Sequence, residues 1–162
     1  MSPFRVFVSS PVIGIEDFRI AIQSAARHAK SSGKIEFFFY EEHEITRIPG
    51  KTVCESIFAV AGHAFDAIFI FFKDRVGQGT QDELQYFEQI IIPGNEDCQI
   101  WWSQIYCENC SSEVTDLVMR LLTKNTGLRV IAGEEKIDSP DRLKGRFTAK
   151  LFEVIGGLTS RV

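Results

Sequence analysis

Excess positive charge is missing from this chain: 18 Lys and Arg stand against 22 Asp and Glu, for a net charge of -4. Proteins that grip nucleic acid draw their affinity from neutralised phosphates, so composition offers no support for such a partner. Long apolar runs are missing too. The longest, Ala67 to Phe72, falls far short of the roughly 20 residues that cross a bilayer, and no membrane partner is expected. The N-terminus enters a strand almost at once, leaving no room for a signal peptide; a cytoplasmic setting is the expectation. No Gly-x-Gly-x-x-Gly follows a strand, so a Rossmann dinucleotide site has no support. Ile48-Pro49-Gly50-Lys51-Thr52 ends like a phosphate-binding P-loop, but the glycine required five residues before Gly50 is Ile45. His28, His43 and His63 show no ligand spacing and no Ser or Cys partner in a nucleophile motif; they read as surface or helix-end residues. Neither a metal nor a bound cofactor is expected.

Four cysteines occur, Cys54, Cys98, Cys107 and Cys110. A closed zinc site takes about four ligands, commonly as two spaced pairs, whereas Cys54 and Cys98 stand far apart in apolar contexts. A thioredoxin-like pair sits directly on a strand-to-helix turn near the N-terminus. Cys107-x-x-Cys110 therefore reads as two loop thiols without special chemistry, with a metal half-site and a redox pair as the alternatives.

What is present is an alternation of short apolar runs with longer amphipathic segments, the signature of βαβ units. Strands are expected at Phe4–Val8, Ile35–Tyr40, Ala67–Phe72, Gln99–Ile105 and Leu128–Ala132. Helices are expected at about Ile15–Ser31, Thr52–His63, Gln81–Ile91 and Ser112–Asn125, and a last one has Ser139 as its cap and Pro140 at its first position. Five strands alternating with five helices predict an α/β fold, a flavodoxin-like doubly wound five-stranded parallel sheet in the order 2-1-3-4-5 with helices on both faces. Residues 1–162 read as one domain, and the Gly156-Gly157 segment fits either a natural end or a cut within a longer protein. Trp101-Trp102 places one ring on each face of its strand, so at least one belongs to the core.

The most informative stretch runs from Phe69 to Leu84: an apolar strand, a polar glycine-containing loop, then a helix with Glu83 expected in its first turn. In a parallel α/β sheet ligands bind beyond the carboxyl ends of the strands. Ser9-Ser10-Pro11 forms a second polar turn after the first strand. If strands one and three are neighbours, Ser9, Ser10 and Glu83 line one pocket. Each motif also has a purely structural reading. Thr80-x-x-Glu83 is a capping-box pattern, repeated at Thr52-x-x-Glu55, and Ser9-Ser10-Pro11 is a turn whose hydroxyls can cap local backbone. Asp82 should point away from Glu83, because helix neighbours are about 100° apart.

Phe7-Val8-Ser9-Ser10, Pro49-Gly50 before a helix, and Glu83-Leu84 after strand three occur in the order of the boxes of Toll/interleukin-receptor-like (TIR-like) domains, and the chain resembles that superfamily over roughly residues 4 to 132. It is most similar to a bacterial TIR-like family of unknown function found N-terminal to regulatory NTPase modules, through Val8-Ser9-Ser10, Gly77, Thr80, Glu83 and Tyr86. More distantly it resembles nucleoside deoxyribosyltransferases. Two departures stand out: Pro11-Val12-Ile13-Gly14 intervenes before Glu16-Asp17, and Gly79-Thr80 replaces the aromatic-Cys pair. The resemblance implies cleavage of the N-glycosidic bond of NAD or a related nucleotide, in bacterial signalling or defence, with NAD as substrate rather than cofactor. It implies Glu83 as the catalytic group, ionised under the influence of a helix N-terminus. Ser9, Ser10, Asp74, Arg75, Gly79, Thr80 and Tyr86 then contact the nucleotide, Arg75 as a phosphate partner. Self-association through TIR-like surfaces is also implied. The alternative is a non-catalytic interaction module whose contact surface is the charged loop Glu41 to Arg47.

Overall fold

The structure is a computed structural model that describes residues 2–11, 14–39, 49–123, 128–130 and 136–160. Four parallel strands form the body of the sheet: β1 (Phe4–Ser9), β2 (Ile35–Phe39), β3 (Ala67–Phe72) and β4 (Gln99–Gln104), in the order β2-β1-β3-β4. A three-residue strand, β5 (Leu128–Val130), pairs in parallel with the far side of β4. Every residue of β3 is buried, as a central parallel strand covered on both faces requires. The predicted extensions of β2 to Tyr40 and of β5 to Ala132, and the end of the fourth helix at Asn125, fall outside the described residues.

Side chains alternate between the two faces of each strand, and this alternation divides the core. Val6, Val8, Phe69, Phe71 and Trp101 point to one face, covered by α1 (Glu16–Lys30) and α5 (Pro140–Ser160). In α1 the buried Ile22, Ala25 and Ala26 lie on one stripe, at the spacing of an amphipathic helix. In α5 the Ser139 hydroxyl oxygen accepts the Arg142 N–H at 3.3 Å, and Leu143, Phe147 and Leu151 are buried. Phe7, Phe38, Ile68, Ile70, Phe72 and Trp102 point to the other face. That face is covered by α2 (Val53–Ala61), α3 (Gln78–Tyr86) and α4 (Ser112–Thr123). Trp101 and Trp102 thus both lie in the core, one per face.

Phe7 organises the second face. Its ring sits 5.0 Å from Phe58 of α2, 5.5 Å from Phe38 and Phe65, and 5.6 Å from Phe87 beyond α3. Cutting such a ring back to alanine costs on the order of 3–5 kcal/mol. Ser9 lies two residues on, so it faces the same helices as Phe7. In register it stands opposite Ile70 of β3.

The third helix departs from its expected start. Helical structure begins at Gln78 and continues through a π-helical turn, Phe87–Ile91, into Ile92–Gly94. Gly77 is the residue before it, at φ +82° and ψ 150°, a conformation that glycine adopts without the steric cost a side chain brings. The Gly77 carbonyl then accepts the Gln81 N–H at 3.2 Å, closing the first turn. Thr80 is therefore inside the helix, and no side chain caps this N-terminus.

Candidate functional site

A cavity of about 340 Å³ opens beyond the carboxyl ends of β1 and β3. Its floor is Glu83, buried at 8% exposure, with Ser9 at 2%. The Ser9 hydroxyl donates to Glu83 Oε2. Thr80, Glu83, Leu84 and Phe87 fall on one helical stripe, and all four are buried. The same stripe that packs α3 on the sheet thus carries its carboxylate into the cavity.

Burial dominates the chemistry of that carboxylate. Loss of water pushes the Glu83 carboxyl up to about 7, the Ser9 hydrogen bond opposes the rise, and the nearby charge of Asp82 adds to it. This corrects two expectations. Glu83 is the sixth residue of α3 rather than a first-turn residue, and the helix terminus does not hold it ionised, because that influence fades within the first turn. No lysine or arginine among the described residues pairs with it. Asp82, expected to turn away, lines the same cavity, and Gln78 Nε2 donates to its Oδ1 at 2.7 Å.

Of the residues singled out in the sequence, Ser9, Ser10, Arg75, Gly79, Thr80 and Glu83 come together around the cavity. Arg75 is exposed and stands at its rim, available to an anion. Asp74 is exposed and does not line it. Tyr86 is a correction as well: it stacks on Phe58 at 4.3 Å and its hydroxyl lies 2.8 Å from His63 Nε2, away from the cavity. Thr80 forms no capping box, whereas Thr52 does cap its helix. The Thr52 hydroxyl oxygen accepts the Glu55 N–H at 3.1 Å and the hydroxyl donates to Glu55 Oε1 at 3.1 Å. The loop Glu41–Arg47, expected as a contact surface, lies outside the described residues.

Sequence reasoning missed one wall. Val53, Cys54 and Ile57 of α2 line the cavity. The cap at Thr52 carried the signal, since the first turn of any helix that follows a parallel strand begins at the carboxyl end of the sheet. Cys54 donates to the Asp82 carbonyl at 3.6 Å. Burial, with the charges of Glu83, Asp82 and Glu55, pushes its thiol up to about 12, so it stays protonated and is no nucleophile at neutral pH. Cys107 and Cys110, read as plain thiols, are joined in a disulfide.

No protein-family model matches the chain, and no curated protein does. Among solved structures it is similar to rubredoxin oxygen:oxidoreductase (ROO) from the anaerobe Desulfovibrio gigas, with a TM-score of 0.53 and 11% sequence identity. The likeness covers 96% of this chain and 37% of that one. It shows the fold alone, a flavodoxin-like α/β arrangement. Among the described residues no helix is long and apolar enough to cross a membrane.

Proposed function

We propose that the Ser9–Glu83 cavity binds the ribosyl part of NAD or a related nucleotide and cleaves its N-glycosidic bond. In this reading the chain is a TIR-like domain with the doubly wound strand order 2-1-3-4-5, acting in the cytoplasm in bacterial signalling or defence. The observation that carries the reading is a buried carboxylate, hydrogen-bonded to a strand-end serine and without a cationic partner, on the floor of a cavity at the carboxyl ends of adjacent parallel strands. Parallel α/β sheets bind ligands at this place, and about 340 Å³ lies within the range of small-molecule sites.

Hydrolysis of an ordinary glycoside calls for two carboxyl groups, an acid for the leaving group and a second group facing the oxocarbenium-like carbon. Nicotinamide leaves from a cationic ring nitrogen and departs neutral, so no acid is required. A single carboxylate then suffices, stabilising positive charge at the ribose carbon or attacking it. The substrate supplies the cation that Glu83 lacks. A pyridinium ring beside Glu83 favours the ionised carboxylate, offsetting the upward push of burial. Ser9 holds the carboxylate by its Oε2, Ser10 takes a ribose hydroxyl or phosphate oxygen, and Arg75 at the rim pairs with phosphate.

The test is incubation of the protein at high concentration, under conditions that allow self-association, with NAD and a nucleotide panel while free base is measured. Base release that disappears in Glu83→Gln supports the reading. Absence of release from every nucleotide overturns it in favour of an interaction module that assembles without chemistry.

A further inference from the structure

The connection between β4 and α4 carries a second reactive group at the same end of the sheet. The loop starts at Ile105, whose N–H donates to the Phe72 carbonyl at 2.7 Å. It ends at Ser111, whose hydroxyl oxygen accepts the Val114 N–H at 3.3 Å. Between them Cys107 and Cys110 form a disulfide. Both are half-buried, and the intervening Glu108 and Asn109 are exposed, so a small solute can reach the bond.

Each sulfur lies against a backbone carbonyl oxygen, Cys110 Sγ 3.7 Å from that of Cys107, but Cys110 alone of the two also receives a side-chain N–H. Gln104 Nε2 donates toward Cys110 Sγ at 3.5 Å, and Cys110 directly precedes the capping Ser111, where a helix dipole favours negative charge. Cys107 Sγ lies 3.6 Å from the Lys73 carbonyl oxygen, with no such donor among the described residues. With an acceptor and no donor beside it, Cys107 is held better as a thiol than as a thiolate, whereas at Cys110 the Gln104 donor offsets the carbonyl. Exchange proceeds faster when the better-stabilised thiolate is the one that leaves.

We propose that Cys107–Cys110 is a reversible thiol–disulfide exchange site for a dithiol reductant, with Cys107 receiving the incoming sulfur and Cys110 leaving. A thiol of the dithiol loses its proton to solvent and attacks Cys107 Sγ. The S–S bond breaks, and its electron pair passes to Cys110 Sγ, which becomes a thiolate facing Gln104. The second thiol of the dithiol then displaces Cys107 Sγ from the mixed disulfide and closes the reagent's own disulfide. Its proton ends on Cys107 Sγ, which donates a hydrogen bond to the Lys73 carbonyl. Two electrons pass from the dithiol to the protein, balancing the two sulfurs reduced with the two oxidised.

The state of this site is felt at the cavity. Lys73 opens the loop whose Arg75, Val76 and Gly77 form one cavity wall, so reduction replaces a sulfur contact on that loop with an S–H donor. A second link runs from Gln81 of α3, whose Nε2 donates to Glu113 Oε1 of α4. The inference does not depend on what the cavity binds.

Native oxidised protein is treated with dithiothreitol, quenched with iodoacetamide and mapped by peptide mass. Cys107 and Cys110 should both be labelled while buried Cys98 is not. The remaining thiol of Cys107→Ser should alkylate several-fold faster at neutral pH than that of Cys110→Ser, and Gln104→Leu added to Cys107→Ser should remove most of that advantage. On reduction, amide signals of Lys73 to Gly77 should shift while those of Lys34 and Asn95, at the opposite end of the sheet, stay in place. Labelling that requires denaturant, equal alkylation rates in the two variants, or unmoved Lys73 to Gly77 signals would each overturn the proposal.

Discussion

Ser9, the last residue of β1, donates its hydroxyl to Oε2 of Glu83, the sixth residue of α3, across 74 positions of sequence. The contact exists because β1 and β3 are parallel neighbours, with Ser9 in register with Ile70. It is buried, and the carboxyl it holds is pushed up to about 7. A protein that sinks an unpaired carboxylate into its core loses stability to do so, and this loss is measurable.

The folded-state value of Glu83 is raised from the ordinary 4.5 to about 7, so the native state holds its proton more tightly than the unfolded chain. Stability from this group is therefore complete below about pH 4.5, falls as the pH rises toward 7, and stays low above that. At about 1.4 kcal/mol per pH unit the loss above pH 7 is on the order of 3 kcal/mol. Glu83→Gln keeps the shape without the charge. Urea unfolding should show the variant more stable than wild type at pH 8, by up to about 3 kcal/mol, with the two nearly equal at pH 4.5. A difference independent of pH would contradict the account.

Ser9→Ala removes the one interaction that opposes the rise at Glu83. The carboxyl of Glu83, followed by carbon NMR during a pH titration, should then titrate above 7. An unchanged or lower midpoint would mean that the hydroxyl does not serve the ionised form.

Gly77 stands at φ +82°, and a Cβ built there meets nothing within 4 Å. Gly77→Ala should accordingly lose stability through backbone strain alone, about 1–3 kcal/mol, measured by thermal or urea unfolding. A loss near zero would show that α3 can begin elsewhere.

Much of this arrangement is legible in the residues. Apolar runs such as Phe4–Val8 and Ala67–Phe72, separated by amphipathic segments, leave a parallel sheet with helices on both faces as the economical way to bury them. The placement of Ser9 follows from its two-residue offset to Phe7. The start of α3 is less legible. Thr80 and Glu83 have the spacing of a capping box, but Gly77 supplies a better stop, and the Thr80, Leu84, Phe87 and Ile91 stripe carries the helix back to Gln78. The start at Gln78 moves Glu83 from a helix end to a buried second turn and reverses its expected charge preference. Tyr86 lies three residues after Glu83, yet stacking on Phe58 turns it from the cavity. The Cys107-x-x-Cys110 spacing favours two plain loop thiols, and only the folded loop, which brings the sulfurs together, shows the disulfide.

The two Thr-x-x-Glu segments should behave differently. Thr52→Ala removes a real cap and should lower stability by about 1 kcal/mol. Thr80→Val removes no cap and nearly keeps the volume of the buried side chain, so urea unfolding should show a smaller loss than that of Thr52→Ala. Equal losses would restore a capping role to Thr80.

The central claim, that Glu83 acts as a carboxylate on a nucleotide whose base leaves without protonation, is tested most directly by the pH dependence of nicotinamide release from NAD, with Glu83→Gln run alongside. The account predicts that kcat/KM climbs with pH through a midpoint of about 7 and then levels, while the variant releases nothing at any pH. Activity that falls as Glu83 ionises, or that survives in Glu83→Gln, would contradict it.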